Sequence, residues 1–448
     1  MSLFGSLFSG VSGLNAQARS MGMISDNVAN VNTTAYKGAA ASFASLVTRA
    51  PSSATYSPGG VRSFSSYAIG SQGLIQSSAS PTDAAISGAG FFVVNSRPDS
   101  SGEQLYTRAG SFSADFLGNL RTPTGYMLQG WALDADENII DVNALETVNV
   151  RIINGLAAAT TTVQTGANLN ADQTAYTGTY TAGDLALHSA SGGTSGVQPH
   201  FTREIRVYDS LGRAAPVTLA FLKDAAANTW NVEIYAPTTA VETGDHPNGL
   251  LASGTITFNG DGSLAGTAIT PAYPATAGVG DPVGVNWLDL NGAEDSSIAF
   301  SFGALGSTDG LTQFASATSV AYVTQNGAEV GELNGVSIDE QGYVIAAFTN
   351  GETRKLYRLP IATFANPGAL DPRSGNVYAQ TDVSGEFNLR FAGRGGAGMV
   401  TPSALESANV DLADEFTKMI VTQRAYSANA RVVTTTDEML DELIRITR

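Results

Sequence analysis

The sequence has 448 residues, of which 43 % are hydrophobic, and it carries a formal net charge of −17. Its length predicts roughly two to four domains with cores of their own. The acidic balance, with no basic patch, argues against binding to nucleic acid or to an anionic membrane surface. The absence of cysteine excludes disulfides, Cys–zinc sites and thiol nucleophiles.

Charged residues make up only 14 % of the chain, against about a quarter in an average soluble protein. Ser, Thr, Asn, Gln and Gly must therefore cover much of the surface, as is common in secreted and self-assembling proteins. Residues 1–5 lack a basic region and a continuous apolar stretch, so we expect no cleaved secretory signal. No run of about 18 apolar residues occurs, which predicts no membrane insertion.

Near the N-terminus, apolar residues recur in alternating steps of four and three, the pattern of a coiled-coil seam. The pattern predicts a helix over roughly residues 5–31, about 40 Å long at about 1.5 Å per residue. The predicted N-terminal seam contains Leu7, Val11, Leu14, Ala18, Met21 and Val28, with Ser25 at one further position.

A second seam of the same kind lies at the C-terminus, preceded by Pro402 and Ser403 as a helix start signal. Because both helices stand at the extreme ends of the chain, we expect them to pair with each other or with neighbouring subunits. The alternative is two amphipathic helices packed on a globular body. The predicted C-terminal seam contains Leu412, Phe416, Met419, Tyr426, Ala430, Val433, Leu440 and Ile444, interrupted by Gln423 and Asp437.

The middle of the chain, about residues 71–375, is predicted to be mostly antiparallel β-structure. The apolar run Phe91 to Val94 indicates a fully buried strand, and the alternation from Trp230 to Ile234 indicates a half-buried one. Asn-Gly and Asp-Gly pairs are the strongest short-range hairpin signals. Such pairs begin at Asn154, Asn248, Asn259, Asp261, Asn291, Asp309, Asn326, Asn334 and Asn350.

Composition divides this middle, because the segments 154–200 and 236–284 are poor in charge and rich in small residues or Pro. We therefore predict a multidomain, mainly β protein, barrel- or sandwich-like, with paired terminal α-helices that form a coiled coil on assembly. The helices would lie innermost and the insert outermost. The predicted domains are a terminal helical core with connectors (1–70 and 376–448), a discontinuous β domain (71–145 and 285–375) and an inserted outer β domain (146–284).

Motifs that would carry chemistry are incomplete. The segment Asp134 to Asn138 begins like a calcium loop, but Ile139 stands where the turn needs Gly and Leu145 where a bidentate Glu belongs. The Gly-rich segment 393–398 lacks the Lys-Ser/Thr pair of a phosphate-binding loop, so we interpret it as a flexible connector. The three histidines lie too far apart for metal spacing or an evident catalytic triad. We predict no enzymatic activity, no cofactor and no metal site.

The N-terminal segment resembles the signature of the flagellar rod and hook proteins. Ser12-Gly13-Leu14 is followed by the run from Asp26 to Lys37, Asp-Asn-Val-Ala-Asn-Val-Asn-Thr-Thr-Ala-Tyr-Lys. The family usually has Asn where this chain has Asp26, and Gly where it has Ala35. An Ala at position 35 makes a left-handed backbone there less favourable. Further similar blocks are Pro81 to Val94, Tyr106 to Phe112, Asp115, Gly118 to Leu120, Gly125-Tyr126, Gln423 to Tyr426, Asn429 and Thr436 to Leu440.

Within this family the length favours a hook subunit, because rod subunits are usually much shorter and the additional residues here fall in the middle. The run Tyr208 to Gly212, with the alternating strands and Trp230 after it, is similar to the outer domain of hook subunits. The alternatives are a distal rod subunit with an unusual insert and, further away, a surface adhesin built on the β-rich middle.

The resemblance implies a structural subunit that polymerises into a flexible tubular universal joint, transmitting torque from rod to filament. It implies unfolded export by the flagellar type III apparatus to the extracellular hook, and contacts with the rod, the hook cap and the hook–filament junction proteins. Before assembly we expect frayed terminal helices, because an unpartnered seam leaves its apolar stripe in water. The expected assembly residues are Leu7, Val11, Leu14, Met21, Asn27, Val28 and Asn30 in the first helix, and Phe416, Met419, Tyr426, Val433, Leu440 and Ile444 in the last.

Overall fold

The computed structural model describes residues 3–46, 59–134, 136–151 and 155–446. The chain divides into two compact units. Unit 1 comprises Met1–Ile152, Gly335–Ala347 and Thr353–Arg448, and unit 2 comprises Ile153–Asn334 and Phe348–Glu352. Two residues singled out in the sequence, Ala135 and Asn154, lie outside the described residues.

Unit 2 is therefore an insertion into unit 1, but its extent differs from the predicted 146–284. It begins at 153 and continues to 334. The reason is strand pairing, because strands at Ser296–Ser301 and Ser319–Gln325 both pair with the strand at Thr162–Asn168. Composition could not reveal this long-range pairing.

Three α-helices are present in the described part of the chain. The two long ones are at the ends, and the short one lies in unit 2. They are α1 (Leu3–Ala29), α2 (Asp184–Ala190) and α3 (Leu412–Ile446).

The remaining regular structure is short strands. In the first part of unit 1 these are β1 (Ala39–Ser45), β2 (Val61–Tyr67), β3 (Ile75–Ser77), β4 (Ala84–Ser87), β5 (Phe91–Asn95), β6 (Gln104–Thr107), β7 (Ser113–Ala114), β8 (Leu120–Arg121), β9 (Met127–Ala132) and β10 (Glu146–Thr147). In unit 2 they are β11 (Leu156–Ala158), β12 (Thr162–Asn168), β13 (Phe201–Tyr208), β14 (Ala214–Lys223), β15 (Thr229–Tyr235), β16 (Leu250–Phe258), β17 (Leu264–Pro271), β18 (Val283–Val285), β19 (Ser296–Ser301), β20 (Ser319–Gln325) and β21 (Ala328–Gly331). The later strands are β22 (Leu333–Ile338), β23 (Tyr343–Phe348), β24 (Thr353–Arg358), β25 (Ile361–Thr363), β26 (Asp371–Arg373), β27 (Val377–Ala379), β28 (Asn388–Arg390), β29 (Met399–Pro402) and β30 (Ala404–Glu406).

The main sheet runs in the order β22-β23-β24-β9-β5-β6-β27-β26. Of its other strands, β25 pairs with β5, β28 with β25, β8 and β10 with β9, and β7 with β8. Strand β5 is buried along its whole length, as predicted. Its Phe91 ring meets Phe364 and Tyr378 edge-on, with ring centroids 6.0 and 5.9 Å apart. Such aromatic pairs stabilise a core beyond the area they bury.

The connectors predicted within the terminal segments 1–70 and 376–448 contain strands. Within 32–70, β1 and β2 form an antiparallel hairpin, from Ala39 opposite Tyr67 to Ser45 opposite Val61. Within 376–402, β27 and β28 join the main sheet and β29 pairs with β4. Small residues therefore did not indicate loops here, because pairing with distant strands overrides weak local propensity.

Unit 2 contains an antiparallel five-stranded meander, β13-β14-β15-β16-β17, and a four-stranded sheet, β18-β19-β12-β20, in which β12 and β19 are parallel. Apolar residues of both sheets share one core that includes Val163, Phe221 and Trp230. The other face of the meander is covered by α2, so Glu233 of β15 is fully buried. The predicted polar face of β15 is therefore not exposed to solvent.

One type of hairpin turn recurs in both units. An Asp Oδ1 atom accepts the backbone N–H groups two and four residues later, and the intervening residue has positive φ. Asp115, Asp209 and Asp339 make this turn with Gly. Asp134 makes it with Glu137 at φ 64°, so the segment considered as a calcium loop is a turn of this kind. The Asn334-Gly335 pair, by contrast, lies inside β22 and makes no turn.

Candidate functional site

The terminal helices α1 and α3 pack against each other, and small residues on α1 allow the approach. A Cβ atom added at Gly13 would lie 2.7 Å from Oδ1 of Asn429, and one at Gly10 would lie 3.0 Å from Cγ2 of Val433. Glycine at these positions therefore lets the two helices come close together. The buried line of α1 consists of Gly10, Gly13, Ala16, Ser20, Ile24 and Asn27.

The predicted N-terminal seam is not this buried line. Leu7, Leu14, Met21 and Val28 are half-buried beside it, and Val11 is exposed. Apolar periodicity identified the helix but could not tell a face packed within the chain from a face left for a partner. The small residues of the true contact give too weak an apolar signal to be recognised.

On α3, the side facing α1 combines polar and apolar residues. Of the predicted C-terminal seam, Met419, Val433 and Leu440 are half-buried. Ala430 is also half-buried, and the other four seam residues, Leu412, Phe416, Tyr426 and Ile444, are exposed. Residues of the buried side that sequence reasoning missed are Glu415, Thr422, Asn429 and Thr436.

Both long helices thus expose large apolar side chains although they are packed together. An exposed apolar patch of this kind marks an interaction surface in a soluble protein. The structure differs from our expectation of frayed helices. In the single chain both helices are formed, because each packs against the other on one side. The exposed residues include Phe4, Phe8 and Val11 of α1, and Leu412, Phe416, Ile420, Val421, Tyr426, Val432 and Met439 of α3.

Helix α3 begins later than the start signal suggested. Pro402 and Ser403 belong to the strand region before it, and the helix starts at Leu412. Asp411 caps it, because its Oδ1 accepts the N–H of Ala413 at 2.8 Å. An Asp followed by acidic residues in the first turn is a helix start signal, so this boundary was readable from the sequence.

Asn27 of the signature segment ties α1 to α3 and to the hairpin. Its Nδ2 donates to Oε2 of Glu415 at 3.1 Å and to the carbonyl of Ala39 at 2.8 Å. Its Oδ1 accepts the Tyr36 hydroxyl at 3.2 Å and the N–H of Ala39 at 2.9 Å. With 3 % of its surface exposed, Asn27 is an internal clasp. Asn30, at the end of α1, donates to the carbonyl of Asp26 at 2.9 Å.

A buried ionic cluster follows in the same signature. The Nζ atom of Lys37 donates to Oε1 of Glu406 and to the carbonyl of Ser71. The other oxygen of Glu406 accepts NH1 of Arg108 at 3.2 Å. All three side chains are at most 3 % exposed. One carboxylate therefore joins the segment after α1, the β-sheet motif around Arg108 and the strand that leads into α3.

The electrostatics of this region follow from burial. Desolvation lowers the pKa of Lys37, and the hydrogen bond to Glu406 opposes that shift. Desolvation raises the pKa of the Tyr36 hydroxyl, and the nearby charges of Asp26 and Glu415 add to the increase. Lys37 and Tyr36 therefore bind neighbouring segments of the same chain.

Ala35 adopts a left-handed conformation at φ 56°, contrary to the expectation drawn from its side chain. It is buried, and its N–H donates to the carbonyl of Glu406 at 2.7 Å. The tie to Glu406 therefore outweighs the local cost, which is about 1–2 kcal/mol for an L-residue in this region.

Within the residues that the structure describes, no group of three or more His, Asp or Glu side chains is placed to hold a metal ion. In the same ranges, no helix has the length and apolarity needed to cross a membrane.

Four family models match separate segments of the chain between residues 7 and 446. They describe a flagella basal body rod protein (7–37), the flagellar hook protein FlgE/F/G D1 domain (85–165), the flagellar basal body protein FlaE D2 domain (198–328) and the flagellar basal body rod FlgEFG protein C-terminal (401–446). Helical ends and a β-rich middle of this kind define an axial protein of the bacterial flagellum. The predicted fold class is confirmed.

Whole-chain relatives narrow the class. The chain is 32 % identical to the flagellar hook protein FlgE of Caulobacter vibrioides, with 100 % of each chain covered. It is 33 % identical to that of Rhizobium meliloti, again over 100 % of each, and 30 % identical to that of Escherichia coli K12, over 97 % of this chain and 98 % of the other. The chain belongs to the flagellar hook protein FlgE family. It is a structural subunit of the flagellar hook, as the resemblance implied.

Among solved structures, the chain is similar to the flagellar hook protein FlgE2 of Helicobacter pylori, at 14 % identity and a TM-score of 0.40. The match covers 74 % of this chain and 100 % of that one.

Proposed function

We propose that the chain polymerises with copies of itself into a flexible tubular joint that transmits torque from the flagellar rod to the filament. The observation that carries this proposal is the exposed apolar surface of the terminal helices. They pair within the chain, and both still expose large apolar side chains. Burying that surface between subunits would release free energy of about 25 cal/mol per Å².

The contact residues would be the outward members of the two seams. Val11, Phe416, Tyr426 and Ile444 are exposed, and the half-buried seam residues flank them. In the assembled tube the helical ends (1–70 and 376–448) would form the innermost layer and the inserted unit the outermost. Packed helices would resist twisting, whereas polar contacts between β domains would break and re-form at little cost.

Further partners are proposed from family membership. The subunit would leave the cell unfolded through the flagellar type III export apparatus and would work in the extracellular hook. A chain without cysteine suits this route, because no disulfide has to form after export. In the hook it would contact the rod, the hook cap and the hook–filament junction proteins.

Immunogold labelling of isolated hook–basal bodies tests the place of the protein. An antibody against unit 2 should label the curved external segment. Label confined to the straight axle between the rings would make the chain a distal rod subunit. Label on neither would favour an adhesin of the cell surface.

A charge in the seam tests the role of the helices. Leu14→Asp should abolish polymerisation and leave the β-units folded, because an uncompensated carboxylate cannot be buried between subunits. Thr435→Asp is the matched control, since it adds the same charge at an exposed position of α3. Normal hooks from Leu14→Asp would contradict the proposal.

A further inference from the structure

A groove of about 350 Å³ lies between the second half of α1, strand β1 and the first turns of α3. Its walls include Met23, Ile24, Phe43 and Val421. Phe43 and Val421 are 48 % and 62 % exposed, so the apolar lining is open to solvent. We call this site the Phe43 groove.

Helix α1 also carries two aromatic side chains that are largely exposed to solvent. Phe4 and Phe8 are 70 % and 60 % exposed. They are four residues apart, so both lie on one side of the helix. Met23 follows them by 15 to 19 residues, which is about 22–28 Å along a helix axis. A continuous helix cannot fold back over that distance, so the chain cannot fill its own groove with these rings.

We propose that the Phe43 groove receives Phe4 and Phe8 of a second copy of this chain, an inference that rests on the proposed polymerisation. The two surfaces match in chemistry, since both are apolar and exposed to solvent in the single chain. The aromatic end and the groove are different surfaces, and they lie far apart along α1. Such a head-to-tail contact is not self-complementary, and it produces an open helical polymer when the rotation does not close. That is the geometry a tube requires.

Charges at the groove suit aromatic guests. Glu415, on one wall, is buried, and its carboxylate is satisfied by Asn27 and by Lys418, whose Nζ lies 2.6 Å away. No bare carboxylate therefore faces the entering rings. The Lys418 side chain is 58 % exposed at the rim, where its ammonium group can lie over the face of an aromatic ring.

Cysteine cross-linking tests the contact, because the natural chain has no cysteine. The double variant Phe8→Cys, Ala41→Cys places one thiol on the aromatic end and one in the groove. In assembled hooks, a short bismaleimide should convert it into a ladder of covalent oligomers on a denaturing gel. Each single variant should stop at dimers or remain monomeric. A double variant that assembles and gives no ladder would overturn the inference.

Loss of either side supplies a second measurement. Phe4→Ala with Phe8→Ala should raise the concentration needed for polymerisation about tenfold or more, as truncation of buried aromatic anchors does. Ala41→Trp, which fills the groove, should do the same. Phe116→Ala is the matched control, since Phe116 is 81 % exposed in the turn after β7. Thermal unfolding of the monomers confirms that each variant folds.

The outcomes separate this contact from the proposed function. Normal polymerisation of both the ring-deleted and the groove-filled variants would overturn the contact and leave the hook assignment intact. If the antibody against unit 2 finds no hook at all, the proposed function fails, whatever the variants do.

Discussion

Unit 2 and the terminal helix pair solve the problem of burial in opposite ways. Unit 2 encloses Trp230, Phe221 and the other inward residues of two sheets in one core, and even its buried Glu233 is satisfied by Tyr180 and the N–H groups of Gly183 and Ala186. The helix pair meets largely through small and polar residues and leaves many of its large apolar side chains exposed.

This difference teaches where the free energy of each region comes from. Unit 2 buries its apolar surface by itself, so its stability is a property of one chain. The helix pair keeps its apolar surface in reserve, so much of its stability must come from a further contact. Substitutions in unit 2 should therefore impair its folding. Substitutions in the helical region should impair assembly or the contacts that hold the two ends of the chain together.

The largest effect is expected for Trp230→Ala. The side chain is 1 % exposed, and its Nε1 donates to Oε1 of Gln313 at 2.9 Å. Its loss should lower the free energy of unfolding of unit 2 by about 3–5 kcal/mol, measured by denaturant titration. Leu290→Ala, at a site 94 % exposed, should change it little. If the helix pair is lost together with unit 2, the two regions are not independent.

Glu406→Gln should destabilise the buried ionic cluster of Lys37, Arg108 and Glu406 by about 3 kcal/mol. The change leaves Lys37 and Arg108 buried without their counter-charge. Proteolysis of the terminal segments would report the loss. Glu386→Gln is the control, because Glu386 is exposed in the same unit. Equal protease resistance of the two variants would show that the cluster does not hold the ends.

A larger residue in the helix contact should separate α1 from α3. Gly13→Leu should cost about 1–3 kcal/mol by overpacking, because its Cβ would collide with the Asn429 side chain. Gly22→Ala should instead stabilise α1 by about 1 kcal/mol, since nothing lies within 4 Å of that position. Helical circular dichroism during heating distinguishes the two. Similar behaviour of both variants would argue against a close contact at Gly13.

Ala35→Gly should give a smaller gain. Glycine removes the left-handed penalty at this position but loses more chain entropy on folding. The net stabilisation should be up to about 1 kcal/mol, seen as a higher unfolding midpoint of unit 1. No change, or a loss, would mean that the methyl group of Ala35 contributes packing that outweighs its strain.

The smallest effect is a dependence on pH confined to unit 2. Burial lowers the pKa of His246 from 6.5, and its Nε2 accepts the N–H of Asn286 at 2.9 Å. Above pH 6.5 the ring is neutral in both the folded and the unfolded chain. Below it the unfolded chain takes up a proton first, so unit 2 should lose stability as the pH falls. The terminal helices contain no histidine and should not share this loss, which unfolding midpoints on either side of pH 6.5 would show.

Local patterns predicted the elements well and their partners poorly. The seam residues indicated both helices, and Phe91 to Val94 indicated a buried strand, because periodicity and apolar runs are properties of a short segment. The glycine contact at Gly13, the buried partner Glu406 and the end of the insert at 334 depend on residues that are far apart in the sequence. Ala35 shows the same limit, since a distant carbonyl decides its conformation.

The order of the strands in unit 2 has a consequence for the speed of folding. In the meander from β13 to β17 every strand pairs with its neighbour in sequence, and the first turn is closed by the side chain of Asp209. Such local contacts form early, because little chain has to be immobilised to make each one. The helix pair joins residues 3–29 to residues 412–446, the most distant partners in the chain. Its closure carries the largest entropic cost and should come last, so unit 2 would already be folded while the two ends of the chain are still free to find their neighbours.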